Sequence, residues 1–204
     1  MELGIRRGGD WGTGGELPDG GVVVSSDGEA RELVEAARRS GEPVPVLGLA
    51  GGDLCRTLGG SGDLARLRDG GSVLTCDLGS VLLDGRIHWF TAHLVARRSW
   101  LSGRILVVMN AAFLGRWNLG PRAHPGDGLL DISDASLSLR QRLAAWRRLP
   151  TGTHLPHPAI ATARRAAFTA SFDRPVPVLL DGVRAGRARR ITVRVESDAL
   201  TVVV

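Results

Sequence analysis

The chain changes its hydrophobic grammar once, near residue 70, and that break limits the folds open to it. Ahead of it lie two β-branched runs, Val22-Val23-Val24 and Val44-Pro45-Val46-Leu47-Gly48-Leu49. Between them Leu33, Val34, Ala36 and Ala37 recur at helical spacing, and Gly41 stops the helix. Strand, helix, strand is a β-α-β unit, which pairs its strands in parallel and winds right-handed. Ala50-Gly51-Gly52-Asp53 then makes a tight loop, with Asp53 expected to cap a helix over 54–58. Past the break, apolar runs of strand length dominate: 73–78, 80–83, 86–90, 104–110, 128–132, 166–171, 176–180, 191–195 and 200–204. Asp84-Gly85 and Asp181-Gly182 are hairpin turns. A single helical pattern, 137–149, carries Leu139, Leu143, Trp146 and Leu149 and ends at Pro150 and Gly152. The expectation is an α+β chain: a β-α-β lobe over 21–71, then an antiparallel β-sandwich lobe over 72–204. Residues 1–20, rich in glycine, are expected to be a flexible tail.

Charge and cysteine usage exclude several function classes. All 26 basic residues are arginine, so no mechanism that needs a lysine is open. The net charge of +5 admits an anionic partner, but the arginines are scattered in pairs without interleaved aromatics, so no nucleic-acid partner is expected. Cys55 and Cys76 have no CxxC spacing, which argues against zinc and for two buried thiols. His154 and His157, three apart around Pro156, read as an extended loop rather than a metal pair. No apolar run reaches transmembrane length and no secretory signal opens the chain, so a cytoplasmic protein is expected, with at most peripheral membrane contact.

Several segments resemble the diacylglycerol kinase and sphingosine kinase family of lipid kinases. Val107-Val108-Met109-Asn110 is similar to the strand that the family ends on asparagine. Pro121-Arg122-Ala123-His124-Pro125-Gly126-Asp127-Gly128-Leu129-Leu130-Asp131 follows its P-x-A-x-x-x-DG-L-L-D pattern. Asp181-Gly182 falls where the family has a DGE triplet, and Thr151-Gly152-Thr153-His154 and the terminal strands also look like it. In the first half, Ser25-Ser26-Asp27-Gly28-Glu29 occupies the slot of GGDGT, and Ala50-Gly51-Gly52-Asp53 that of the GTGND loop. Leu54-Cys55-Arg56-Thr57-Leu58-Gly59 is similar to the R-x-L-G helix after it. The resemblance implies two lobes, the α/β lobe being truncated: the 20 or so residues before Val22 are too few for the two further β-α units of the family. The sheet edge left open would suit a homodimer.

The departures bear on chemistry. Phosphate cradles use glycine so that backbone N–H groups approach closely, and here Ser25 and Ser26 intrude while Glu29 adds a negative charge. The DGE position reads Asp181-Gly182-Val183, and valine cannot accept a proton. The catalytic candidates are Asp27, Asp53, Asp181 and Glu29, with Asp27 and Asp53 meeting at the ends of neighbouring strands either as an acid–base pair or as loop and cap residues, and Asp181 either joining them or serving its hairpin turn alone. Candidate ligand contacts are Asn110, Phe113, Trp117, Arg122 and His124, the aromatics lining an interlobe cleft or belonging to the core. The resemblance implies a structural Mg²⁺ on Asp127 with the carbonyls of His124 and Leu129, or else a turn aspartate without metal. Three functions stay open: a degenerate lipid-kinase relative holding a hydrophobic or lipid-like small molecule, a non-kinase enzyme using carboxylate acid–base chemistry, and an ATP-dependent lipid kinase completed by dimerisation.

Overall fold

The computed structural model describes residues 12–204. Strand β1 (Gly12–Gly15) comes first, followed by β2 (Val22–Val24), α1 (Asp27–Ser40) and β3 (Leu47–Leu49). The short helices α2 (Gly52–Thr57) and α3 (Leu64–Arg68) lead into β4 (Gly71–Leu83), β5 (Arg86–Phe90), β6 (His93–Arg97) and β7 (Ile105–Met109). Two two-residue strands, β8 (Phe113–Leu114) and β9 (Trp117–Asn118), precede β10 (Leu130–Ala135), α4 (Leu139–Arg148), β11 (Ile160–Arg165), β12 (Ala167–Leu180) and β13 (Val183–Val203).

The β-α-β unit forms as its sequence dictates. Ser26 caps α1 by accepting from the Glu29 amide, Gly41 closes it at φ 76°, and β2 pairs with β3 in parallel. Ala30 and Val34 turn inward onto a core with Leu47, Leu49, Leu74, Cys76 and Val202, and Ala37 is buried on the same helix.

The two lobes share one 11-stranded sheet, because β4 and β13 run through both. The C-terminal end of β13 pairs in parallel with β3 and antiparallel with the start of β4. Its N-terminal half pairs with β12 and with the end of β4, and the sheet then curls through β6, β7, β10 and β11 around the sandwich core of Phe90, Leu94, Val108, Leu130, Val178 and Ile191. Runs that read as separate strands in sequence, such as 191–195 and 200–204, are therefore parts of one long strand bent at a register slip between Glu196 and Leu200. Gly79 lets β4 cross Phe90, since a Cβ there would stand 2.1 Å from Cζ of that ring.

The expected tail of 1–20 needs correcting in its described part. Gly12–Gly15 pairs antiparallel with Gly71–Leu74 of β4, Leu17 donates its amide to Leu67, and only residues 1–11 lie outside the described part. The open edge of β4 recruits it: backbone pairing needs no apolar side chains, so glycine content gave no sign of it.

Candidate functional site

The ends of β2, β3 and β5 and the start of β6 converge on a cluster of ionisable groups. Asp27 opens α1, but its carboxylate serves another helix: Oδ2 accepts from the Asp53 amide at 2.6 Å and Oδ1 from the Leu54 amide at 3.0 Å. It thereby caps α2, whose own cap residue, Gly51, has no side chain to do so. This corrects the expected Asp53 cap. Asp53 turns outward, accepting from the Gly115 amide at 2.9 and 3.0 Å and meeting Nε2 of His93 at 2.9 Å. Gly52, at φ 96°, makes the approach possible, because a Cβ there would stand 2.6 Å from Asp27 Oδ1.

Asp181 lies behind this group at the β12–β13 hairpin. Its carboxylate accepts the amides of Thr91, Ala92 and His93 at 2.8, 2.9 and 2.9 Å, and the Thr91 hydroxyl at 3.2 Å. It gathers the turn between β5 and β6 and so sets the direction of His93. Asp181 is a structural organiser in this geometry, with every oxygen engaged.

The electrostatics follow from burial of three carboxylates around one imidazole. Burial, with the charges of Asp181 and Asp53, raises Asp27 to about 6. Burial also raises Asp181. At Asp53 burial pushes upward, but the His93 hydrogen bond, the Gly115 amide and the Arg56 charge bring the carboxyl below its ordinary value. At His93 burial opposes the charged form, yet the Asp53 hydrogen bond and the surrounding carboxylates raise the imidazole above its usual value. Asp27, Asp53 and His93 offer ligand atoms within 4.8 Å of one another, a span one divalent ion could bridge.

The remaining sequence candidates fall elsewhere. Glu29 is exposed and folds back on its own loop, taking the Ser25 amide at 2.7 Å and the Ser25 hydroxyl at 2.9 Å. Those bonds hold its carboxyl below the ordinary value. Asn110 is fully buried and braces two carbonyls, of Asp77 and Thr91, both at 2.8 Å. Phe113 lies 3.9 Å beneath the Arg56 guanidinium, and Trp117 packs edge-on to Trp100 with centroids 5.6 Å apart. Arg122 and His124 are exposed. Asp127 forms an ion pair with Arg164 and accepts the Leu129 amide at 3.0 Å. A guanidinium already neutralises that carboxylate, so this donor set, with His124 and Leu129 beside it, does not suit Mg²⁺.

Sequence reasoning missed two participants. His93 is 3% exposed in an apolar stretch, and an isolated histidine among Thr91, Ala92, Leu94 and Val95 is the signal that could have found it. Asp77, 1% exposed, holds the amides of Gly128 at 2.7 Å and Asp198 at 3.1 Å, tying the glycine-rich loop to β13. Nothing in its local pattern distinguishes it from an ordinary strand residue.

An apolar cavity of about 70 Å³ lies apart from this cluster, between β7, β10 and α4. Trp100, Val107, Leu119, Trp146 and Leu149 wall it, with His154 among its few polar groups. His154 is 6% exposed, and its Nδ1 has no partner among the described residues. Arg142 anchors α4 there, donating to the carbonyls of Leu137, Trp100 and Gly103.

The architecture is shared with solved proteins. A diacylglycerol kinase from Bacillus anthracis str. Sterne is 14% identical and aligns with a TM-score of 0.63 over 90% of this chain and 77% of its own. Two further structures from that organism, provisionally assigned to the same enzyme, are 15% and 14% identical with TM-scores of 0.67 and 0.69; they cover 90% of this chain and 77% and 78% of theirs. No curated protein matches the sequence. Residues 81–204, well over half of the chain, match the YegS C-terminal NAD kinase beta sandwich-like domain, so the chain belongs to that diacylglycerol kinase-like family of lipid-kinase relatives.

Proposed function

We propose that this protein is a lipid-kinase relative that no longer transfers phosphate and instead holds a hydrophobic small molecule. The observation that carries the reading is the placement of Glu29. In a phosphate-binding loop the amides before a helix N-terminus receive the anion. Here the Ser25 amide and hydroxyl, on the loop into α1, are already taken by the Glu29 carboxylate, so the protein supplies its own anion at that place. An incoming polyphosphate would have to displace Glu29 and then face its charge. The second support is at the hairpin: the Asp181 carboxylate is spent on three backbone amides, and Val183 beside it offers no base.

The apolar half of the reading is supported by the cavity under α4, whose lining is almost wholly carbon. At about 70 Å³ it takes only the end of an apolar chain unless α4 shifts outward, while around Phe113 and Trp117 the ring faces and edges are already occupied by Arg56 and Trp100.

Titration calorimetry with Mg·ATP tests the first part, with no saturable binding expected. Tight binding with release of γ-phosphate would overturn it. Mass spectrometry of small molecules extracted from the purified protein tests the second. An apolar compound should accompany the wild type and be lost from Ala145→Trp, which fills the chamber; equal recovery from both proteins places the ligand elsewhere.

A further inference from the structure

The strand β12 does not pair evenly with β13. Its register slips between Ser171 and Val176, so residues 172–175 stand out of the ladder. Two arginines of β13 hold the bulge by its carbonyls, Arg187 on Pro175 at 2.9 Å and Arg189 on Phe172 at 3.2 Å. Bulges of this kind re-aim side chains. This one turns Asp173 and Arg174 toward the loop that joins β6 to β7.

Between bulge and loop lies a recess of about 230 Å³, with Arg98, Arg104, Arg174, Asp173 and Phe172 in its walls. Arg104 is its fixed element. Nε and Nη2 donate to the Asp134 carboxylate at 2.8 and 2.6 Å, Nη1 donates to the Ser171 carbonyl at 2.6 Å, and the guanidinium stacks 4.6 Å over Phe172. These three bonds leave part of its donor set unused. Asp134 offsets the Arg104 charge. Arg98 and Arg174 are exposed and form no ion pair among the described residues, and Asp173 is the one carboxylate in the lining. The recess is therefore concave, partly preorganised and cationic.

We propose that this recess binds a phosphate group. Guanidinium forks match the oxygen spacing of phosphate and bind it by charge-assisted hydrogen bonds. The loop is itself held in place from the far side, where Arg142 takes the carbonyls of Trp100 and Gly103. Gly103 faces the recess while Trp100 faces the apolar cavity, so the two sites share one loop, with Arg142 holding it from the cavity side.

The test uses the whole chain, the double variant R98Q/R174Q and the single variant D173N. Arg98 and Arg174 are surface residues, so circular dichroism should match the wild type. One arm titrates inorganic phosphate by calorimetry at fixed salt. The other measures co-sedimentation with phosphatidylcholine vesicles carrying phosphatidic acid against plain phosphatidylcholine vesicles. The double variant should weaken binding by on the order of tenfold for each arginine lost, and D173N should tighten it. A response in the phosphate arm alone identifies a soluble phosphate ligand, and a response in the vesicle arm alone identifies a lipid headgroup. Absence of binding in both arms, or binding that R98Q/R174Q leaves unchanged, overturns the proposal.

Discussion

Replacing Asp27 by asparagine should flatten one stretch of the pH–stability curve. Burial raises this carboxyl from 3.8 to about 6. The native state thus keeps the proton to a higher pH than the unfolded chain does. The stability tied to protonated Asp27 is complete below its unfolded value and is lost as the pH rises through about 6. A displacement of that size corresponds to roughly 3 kcal/mol. Asp77, Asp131 and Asp181 are raised by burial too and act in the same sense, so the measurement is the difference between wild type and Asp27→Asn. Asparagine keeps one acceptor for the Asp53 or Leu54 amide but turns an NH₂ toward the other, which adds a penalty independent of pH. The assay is urea denaturation across the acid and neutral range in chelator-containing buffer. The stability of the wild type relative to Asp27→Asn should fall by about 3 kcal/mol as the pH rises through the window. Two curves that run parallel would show that Asp27 ionises as freely in the fold as in water, and would refute the argument.

Two further substitutions probe the frame around the cluster. Asp181→Ala leaves the buried amides of Thr91, Ala92 and His93 without an acceptor; at about 1–3 kcal/mol for each orphaned group, the loss in urea melts should be at least about 3 kcal/mol. Gly79→Ala drives a methyl group into Phe90 and should cost more than about 1–3 kcal/mol, with Phe90→Leu in the same chain recovering part of the loss in a double-mutant cycle.

What was legible in the sequence was whatever local chemistry dictates. The Leu33, Val34 and Ala37 stripe and Gly41 set α1, and the Asp-Gly pairs at 84–85 and 181–182 set hairpins whose aspartates take positive φ. The meeting of Asp27 and Asp53 followed from their places at the ends of neighbouring strands, whereas the approach of Asp181 from its hairpin did not. The roles within that convergence were not legible. That Asp27 rather than Asp53 caps α2 depends on a contact across 26 residues, and that His93 joins it depends on Asp181 gathering the turn from 88 residues away. Strand β1 escaped because an open edge selects a partner by backbone alone. Glu29 shows the opposite case: its charge was plain in the sequence, and its partner lay four residues away.

The two long strands that stitch the halves of the molecule together set how it can move. A bilobed enzyme usually closes on its substrate by bending where few chains cross, and here β4 and β13 cross unbroken. Opening the gap between the halves would tear ladder hydrogen bonds along both. Even the slip between Glu196 and Leu200, where Asp198 takes φ 54°, is tethered by the Asp77 carboxylate. A molecule stitched in this way keeps the gape between its halves fixed, in the manner of a gauge rather than a jaw.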